Sequence, residues 1–544
     1  MKSIARFFTS CFDSPWKKDL FFFLTLISCF FIYRYEYLIH FNPSGPHTWR
    51  QADSISLIDN YYSHGMRFFW PEIHYQISDD DTSGYTAGEF PGLYYLNALL
   101  WTLFGKHVEI TRLASILITF LGLFSLYRTN LLWTKNYFWS VVGALFILST
   151  PTIAEYGANF LTDVPAFAFA LVGWYFFSRF YHEGKDRLLL WVAVFFMIAG
   201  LLKVSALIIF VIIVILWALE ALGLRLADKP ERLFERPAKQ GAILSIAFIG
   251  ILSWYAYASH FDYVHVGKYT FNHPWPIWEL SQEQITKVAT DFWSWTSVFT
   301  MPRLYWYLLP ILLLGWIFLL HRLSVIVRIV CLFTLAGTLG YFSLWFQAID
   351  QHDYYFANSF VLLAVLPLPY LTAGINLRPW VSNAIKACAV LLLIYGLIYT
   401  RQNIELRHYP EEKFAYPLMP KDAVGLMKWY NWERTSRVRG LRHINPLLDS
   451  LGVTEDKKVV IMPDPTINHT LYLIDRKGWT GFGPRSPREV IDDSVKKGAE
   501  FLIVLHPDLY LTPDMQSLKD FRIGKLENVE IIDLRKFQDA GSPR

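Results

Sequence analysis

The chain has 544 residues, of which 53% are hydrophobic and 17% aromatic, while only 18% are charged. Soluble domains carry about 25% charged residues, and here the charges are concentrated in separate segments, which is typical of a polytopic membrane protein. The formal net charge of +4 is too small for a chain of this length to indicate a nucleic-acid partner, and we expect none.

The apolar segments predict a helical membrane domain. About 20 apolar residues cross a bilayer, and fewer suffice where protein covers the ends. Eleven segments meet this condition, near residues 20–40, 108–127, 136–152, 162–180, 188–202, 204–222, 241–259, 304–320, 329–347, 355–375 and 380–400. The stretch 92–104 is shorter, and we interpret it as an interfacial helix or as a helix that leads into the second span.

The distribution of lysine and arginine predicts the orientation. If the N-terminus is cytoplasmic, the basic loops all face the cytoplasm and the short turns on the other side hold only Lys203. This orientation predicts three regions: a cytoplasmic tail at 1–19, a membrane domain at 20–400 with outer loops 41–107 and 260–303, and an extracytoplasmic domain at 401–544.

The C-terminal region reads as a small α/β domain. Its apolar runs "KKVVIM", "EFLIVL" and "VEIID" predict strands, and "SPREVIDDSVKKGA" predicts a helix between the first two. It has no Gly-rich phosphate loop and no metal-ligand spacing. We therefore expect it to carry no catalytic residue and to recruit or orient an acceptor. Asn468-His469-Thr470 has the form of a glycosylation sequon, a pattern that is common by chance.

The first outer loop holds two candidate acids. Arg50 and Asp53 are three residues apart and share one face of a predicted helix, whose apolar side, which includes Ile55, is suited to lying on the membrane surface. Glu89 comes just before Pro91, where the chain re-enters an apolar segment. Taken singly, Asp53 has the alternative interpretation of an exposed acid, and Glu89 that of a solvated loop acid or an N-cap.

Asp163 begins the fourth predicted span on the outer side. Its alternative role is that of an N-cap, with Pro165 in the first helical turn, and capping and catalysis can coexist. Lys203 separates two apolar runs at the same level, where a lysine must pair, snorkel or bind an anion. Further polar and aromatic residues predicted at this level are Arg112, Arg303, Asp350, His352, Tyr354 and Tyr355. Together they predict a site for a lipid whose phosphate lies among the headgroups.

The order of short motifs resembles that of the polytopic transferases that use polyprenyl-phosphate sugars, namely the protein O-mannosyltransferases and the lipid A aminoarabinose transferases of the type-C glycosyltransferase fold. The resemblance covers residues 20–375. The motifs that carry it are Ser63-x-Gly65, Trp70-Pro71, Glu89-x-Pro91, Leu-Phe-Gly at 103–105, Arg112, Leu-Thr-Asp at 161–163 and Lys203.

The resemblance implies a glycosyltransferase that moves a sugar from a polyprenyl-phosphate donor to a lipid, glycan or protein acceptor at the outer membrane face. It implies catalytic roles for Asp53, Glu89 and Asp163, which are also the candidate ligands if a divalent metal is used. The residues expected to bind the substrate or the lipid phosphate are Arg50, Lys203, Arg112, Arg303, His352, Tyr354 and Tyr355.

The chain departs from the family pattern at three positions. The acid usual on the first outer helix falls on Arg50, with Asp53 about one turn further on. The basic residue that often follows the loop glutamate is Phe90 here, and the usual Lys-Gly pair is Lys203-Val204. These differences leave open which carboxylate is the base.

Two other classes of function remain as alternatives. One is a transporter or flippase of an amphiphilic lipid-linked substrate, although such proteins place their charges near the bilayer midplane. The other is a scaffold whose tail binds a partner. For the location we expect the bacterial inner membrane, with the active face and the tail in the periplasm.

Overall fold

A computed structural model describes residues 14–226, 232–268, 274–409 and 414–536. Most of the predicted cytoplasmic tail therefore lies outside the described residues, as do short pieces of the second outer loop and of the C-terminal region.

Helices dominate the chain. In chain order they are α1 (Pro15–Ile32), α2 (Tyr35–Leu38), α3 (Thr48–Ser63), α4 (Gly92–Phe104), α5 (Val108–Thr134), α6 (Tyr137–Leu148), α7 (Pro151–Tyr156), α8 (Asp163–Glu183), α9 (Asp186–Leu202), α10 (Ile208–Ala221), α11 (Pro237–Val264), α12 (Gln282–Asp291), α13 (Ser297–Thr300), α14 (Arg303–Leu319), α15 (Val325–Leu344), α16 (Phe356–Ser359), α17 (Val361–Val365), α18 (Leu368–Thr372), α19 (Pro379–His408), α20 (Lys421–Val438), α21 (Asn445–Ser450), α22 (His469–Ile474) and α23 (Pro487–Lys496). The strands are β1 (Val459–Met462), β2 (Gly478–Thr480), β3 (Phe501–Val504), β4 (Arg522–Leu526) and β5 (Val529–Asp533).

The helices present apolar side chains outward. Leu117, Ile249, Leu252, Phe318 and Leu391 are between 62% and 76% exposed, a surface that suits lipid rather than water. Within the described ranges, seven helical segments are long and apolar enough to cross a membrane. The polytopic helical fold with a small C-terminal sheet domain is confirmed, whereas the count of eleven spans stays a prediction.

The chain divides into two compact units. The helical unit combines the described parts of Met1–Phe41, Thr111–Trp254 and Pro274–Val424. The loop–tail unit combines those of Asn42–Ile110, Tyr255–His273 and Gly425–Arg544. The first outer loop and the C-terminal sheet thus belong to one unit, although they are far apart in sequence.

In the helical unit, a hairpin of α8 and α9 positions two of the predicted site residues. Gly184 ends α8 with φ of 66°, a left-handed conformation that glycine adopts without strain. Because α9 runs back along α8, Asp163 at the start of α8 and Lys203 just past the end of α9 come to the same end of the hairpin. Gly122 of α5 packs closely on Ala168, since a Cβ there would lie 2.6 Å from the Ala168 Cα.

In the loop–tail unit, the five strands form one sheet in the order β2-β1-β3-β5-β4. β1 is parallel to β2 and β3, and β5 is antiparallel to β3 and β4. The three predicted strands are found as β1, β3 and β5. The predicted helix is found as α23, which begins with a capping box between Ser486 and Glu489.

The first outer loop covers one edge of this sheet. The Gln76 N–H donates to the Gly478 carbonyl at 2.9 Å, and the Gly478 N–H donates to the His74 carbonyl at 3.1 Å. An uncovered strand edge would present unpaired backbone groups. Pairing with residues 74–76 protects β2 and fastens the loop to the C-terminal domain.

Candidate active site

Helix α3, which carries Asp53, is buried on nearly every side. The alternative interpretation of Asp53 as an exposed acid is therefore wrong, because Asp53 is only 2% exposed. The amphipathic pattern identified the helix, but it carried no information about the protein segments that cover its polar side.

Arg50 lies beside two carboxylates in the loop–tail unit. Its Nη2 forms an ion pair with Oε1 of Glu89, and its Nη1 lies 3.7 Å from Oδ2 of Asp53. The Tyr94 hydroxyl donates to the other Glu89 oxygen at 2.5 Å. The alternative interpretation of Glu89 as a solvated loop acid is wrong, because its side chain is 7% exposed, and the N-cap position of α4 belongs to Pro91.

A residue of the C-terminal domain also contacts Asp53. The Asn468 side-chain amide donates to Oδ1 of Asp53 at 2.7 Å, and its carbonyl oxygen accepts from the Tyr75 N–H at 2.9 Å. Asn468 is fully buried, so the folded protein offers no access to this sequon. The two partners are 415 residues apart, and no local sequence signal predicts their contact.

Asp163 and Lys203 form a pair in the helical unit. The Lys203 Nζ lies 3.8 Å from Oδ1 of Asp163, whose side chain is buried, while that of Lys203 is 21% exposed. Thr162 is the N-cap residue of α8 and Asp163 is the first helical residue. The N-cap position expected at Asp163 is therefore occupied by Thr162, one residue earlier. An acid in the first turn still interacts favourably with the helix dipole.

The predicted phosphate-binding arginines have different surroundings. Arg112 is fully buried and donates to the backbone carbonyls of Phe41 and Ala158 at 2.9 and 2.7 Å, so its contacts hold two backbone segments together. Arg303 begins α14 half-buried, with its guanidinium 4.5 Å from the Trp293 ring centroid.

The His-Tyr-Tyr group forms an aromatic cluster. The His352 ring centroid lies 5.3 Å from that of Tyr354 and 5.5 Å from that of Tyr355. The Tyr341 hydroxyl donates to the Tyr355 carbonyl at 2.9 Å, which ties this turn to α15. Tyr354 is buried, whereas His352 and Tyr355 are partly accessible.

A buried polar network nearby was not predicted. Arg407, near the end of α19, donates to Asp353 at 2.5 Å, and the other Asp353 oxygen accepts from the Tyr156 hydroxyl at 2.5 Å. The next residue, His408, lies 2.8 Å from a carboxylate oxygen of Glu155. These contacts fasten α19 to α7. The only sequence signal was the Arg-His pair at 407–408, beyond the last predicted span at 380–400.

The described residues contain one group with metal-ligand spacing, formed by Asp59, His74 and Asp475, whose ligand atoms lie within 4.8 Å of one another. The Lys106 Nζ already lies 2.7 Å from Asp59 Oδ1 and 3.0 Å from Asp475 Oδ2. Hydrogen bonding from His74 and the Lys106 ammonium hold the pKa of Asp475 well below its usual range. Because the Lys106 ammonium already provides the positive charge between these carboxylates, the group does not fit a metal ion. At Asp53 and Glu89 the positive charge beside the carboxylates is likewise provided by a side chain, that of Arg50.

The structure thus gathers the predicted residues in two groups. Arg50, Asp53 and Glu89 meet in the loop–tail unit, and Asp163 meets Lys203 in the helical unit. The convergence of all three acids on one substrate stays a prediction.

Residues 89–257 of the chain match the family described as "Dolichyl-phosphate-mannose-protein mannosyltransferase". The matched stretch includes Glu89, Arg112, Asp163 and Lys203. The resemblance to polyprenyl-phosphate-sugar transferases that the motif order predicts is confirmed by this match. No curated protein matches the sequence.

The fold is similar to that of ArnT from Cupriavidus metallidurans. The apo structure of that protein matches with a TM-score of 0.55 at 10% identity, over 96% of this chain and 99% of that one. Its structure bound to undecaprenyl phosphate matches with a TM-score of 0.54 at 11% identity, over 94% of this chain and 97% of that one. The arabinofuranosyltransferase AftD from Mycobacteria matches with a TM-score of 0.51 at 11% identity, over 94% of this chain but 40% of that one. At these identities the likeness establishes the fold alone.

Proposed function

We propose that this chain is an integral-membrane glycosyltransferase that moves a sugar from a polyprenyl-phosphate donor to a lipid, glycan or protein acceptor. One observation carries the proposal: each of the three acids predicted to be catalytic has a buried side chain beside a cation. Arg50 lies beside Asp53 and Glu89, and Lys203 lies beside Asp163. Burying charged groups is costly unless they are paired, and such constellations are concentrated at functional sites.

The fold supports the same proposal. The chain matches ArnT along almost its whole length, and one of those structures contains undecaprenyl phosphate. The transporter alternative has no comparable support, since the charged residues discussed here lie at the ends of helices and in the first outer loop rather than at helix midpoints.

The residue types fit a single displacement. The acceptor hydroxyl loses its proton to a carboxylate as its oxygen attacks the anomeric carbon. The bond from that carbon to the phosphate oxygen breaks, and the lipid phosphate leaves with the electron pair. One such displacement inverts the anomeric configuration. A cation beside the departing phosphate stabilises its growing charge.

We assign Asp53 as the base and Lys203 as the cation at the phosphate. Glu89 accepts from both Arg50 and Tyr94, so its oxygens are engaged and it serves to position Arg50. Asp163 orients the Lys203 ammonium. Two of the other candidates, His352 and Tyr355, are partly accessible and are proposed to contact the substrate.

The cell envelope provides the test. Lipids and glycans extracted from cells with and without the gene are compared by mass spectrometry, and one sugar modification should be missing without the protein. Complementation with the parent chain should restore it, whereas Asp53→Asn should not. An unchanged envelope profile, with the lipid-linked sugars also unchanged, would contradict the proposal. The location in a bacterial inner membrane, with the active face in the periplasm, predicts that the modification lies on periplasmic or outer-membrane molecules.

A further inference from the structure

We infer that Asn468, in the C-terminal domain, is a positioning residue that orients the carboxylate of Asp53 for proton transfer. The inference rests on the proposed function, in which Asp53 is the base. It gives the C-terminal domain a direct part in the reaction, beyond the recruitment of an acceptor.

Two hydrogen bonds determine which end of the Asn468 amide faces Asp53. The carbonyl oxygen accepts from the Tyr75 N–H at 2.9 Å, a bond that the amide nitrogen is unable to make. The NH₂ group must therefore point the other way, where it donates to Oδ1 of Asp53 at 2.7 Å. The direction of the second bond therefore follows from that of the first.

The backbone around Asn468 is held from two sides. Asn468 is the N-cap residue of α22, and this helix packs against α3, which carries Asp53. Tyr75 lies in the segment that pairs with Gly478 at the sheet edge. The amide is therefore fixed by a helix and by a strand pairing, and both it and Asp53 are buried.

The two oxygens of Asp53 consequently have different surroundings. Oδ1 accepts from Asn468 at 2.7 Å, while Arg50 Nη1 lies 3.7 Å from Oδ2. A hydrogen bond and a nearby positive charge each favour the charged form of a carboxylate, so Asn468 and Arg50 both favour the ionised form of Asp53 that a base requires. The bond on Oδ1 fixes the plane of the carboxylate and so the direction in which Asp53 is presented to the acceptor hydroxyl.

Asn468→Asp tests this role, because the new side chain still accepts from Tyr75 but replaces the donor with a negative charge. A neighbouring carboxylate raises the pKa of Asp53. Since the base must be ionised, the acidic limb of the pH–rate profile should move up by about one pH unit, and the rate on that limb should fall about 10-fold. The rate is measured as polyprenyl phosphate released in membranes from their endogenous lipid-linked sugars, between about pH 5 and pH 9.

Asn468→Ala is the second variant, for use if the aspartate variant does not fold. It removes the donor without adding charge, so the acidic limb should move in the same direction by less. Lys477→Gln is the matched control. It breaks an ion pair with Glu72 that joins the same two segments at 2.5 Å, and it should leave the profile of the folded enzyme unmoved.

Asp53→Asn distinguishes a failure of the base assignment from a failure of the positioning role. If Asp53→Asn transfers sugar normally, the assignment of the base fails. If it is inactive, yet the folded Asn468 variant has the pH profile of the parent, the positioning role of Asn468 is overturned and the residue is only a structural tie. A profile that moves in the Asn468 variants but not in Lys477→Gln supports the inference.

Discussion

Lys203 and Asp163 occupy the same end of the α8–α9 hairpin, 3.8 Å apart. An acid at the start of one apolar helix and a lysine just past the end of the next are each unremarkable, and their meeting follows from the antiparallel packing. Changing one charge at a time therefore shows whether the pair serves the fold or the substrate.

Asp163→Asn should keep the fold and lose activity. Asparagine has the same shape, and losing a charge in the first helical turn costs about 0.3–1 kcal/mol of stability. Without the carboxylate that orients Lys203, we expect transfer to fall by about 10²-fold or more. Thermal unfolding and polyprenyl phosphate release are measured on the same membranes. A transfer rate close to that of the parent protein would mean that Asp163 only stabilises the helix.

Lys203→Met should weaken use of the lipid donor. Methionine keeps an apolar side chain of similar length, but no cation remains to stabilise the leaving phosphate, so the rate should fall about 10²–10³-fold. Lys239→Met is a matched control, because Lys239 pairs at 2.8 Å with Asp186 at the other end of α9. Equal losses in both variants would point to a general effect of breaking charged pairs.

Sequence spacing predicted the proximity of Arg50 and Asp53, because three residues along a helix bring side chains onto one face. It did not predict Asn468, because spacing within a helix carries no information about a partner more than 400 residues away. Glu89 was found through its place before Pro91, but its engagement with Arg50 depends on how the loop folds back onto α3.

At the scale of elements, the strands with continuous apolar runs were predictable and the others were not. β1, β3 and β5 are rich in valine and isoleucine, which favour strands. β2 has three residues, and β4, with the sequence "RIGKL", is largely accessible. β2 and β4 form because neighbouring strands offer backbone hydrogen-bond partners. This is a tertiary effect, which the local sequence pattern does not predict.

Gly478→Ala should loosen the attachment of the first outer loop. A Cβ at Gly478 would lie 1.8 Å from the Val459 carbonyl oxygen, so β2 must shift from its place between β1 and residues 74–76, which distorts its bonds to the loop. Such overpacking costs about 1–3 kcal/mol. Hydrogen exchange should show faster exchange of the Gln76 amide, which bonds Gly478.

Gly425→Ala provides the control for this experiment. It lies in α20 with open space around it, and alanine there should stabilise the helix by about 1 kcal/mol. Unchanged protection of Gln76 in Gly478→Ala would mean that the strand pairing does not hold the loop.

At the scale of the whole molecule, the loop charges predict that the C-terminal domain is extracytoplasmic. In a background without cysteines, Ser450→Cys should react with a membrane-impermeant maleimide on intact cells. Lys185→Cys, in an exposed turn between α8 and α9, should react only after permeabilisation. The reverse pattern would invert the topology and place the proposed site in the cytoplasm.

The pairing of the first outer loop with the C-terminal sheet also determines when the site can form during biosynthesis. His74 and its neighbour Asp475 are 401 residues apart in the chain. At about 5–20 residues per second, a ribosome needs about 20–80 s to make the chain between them. During that interval the loop lacks the sheet edge with which it pairs, and α3 lacks the helix that packs on it. Maturation of the site must therefore wait until Asn468 and Asp475 have been synthesised, and a ribosome stalled before residue 468 would leave an inserted protein in which Asp53 lacks its partner from the C-terminal domain.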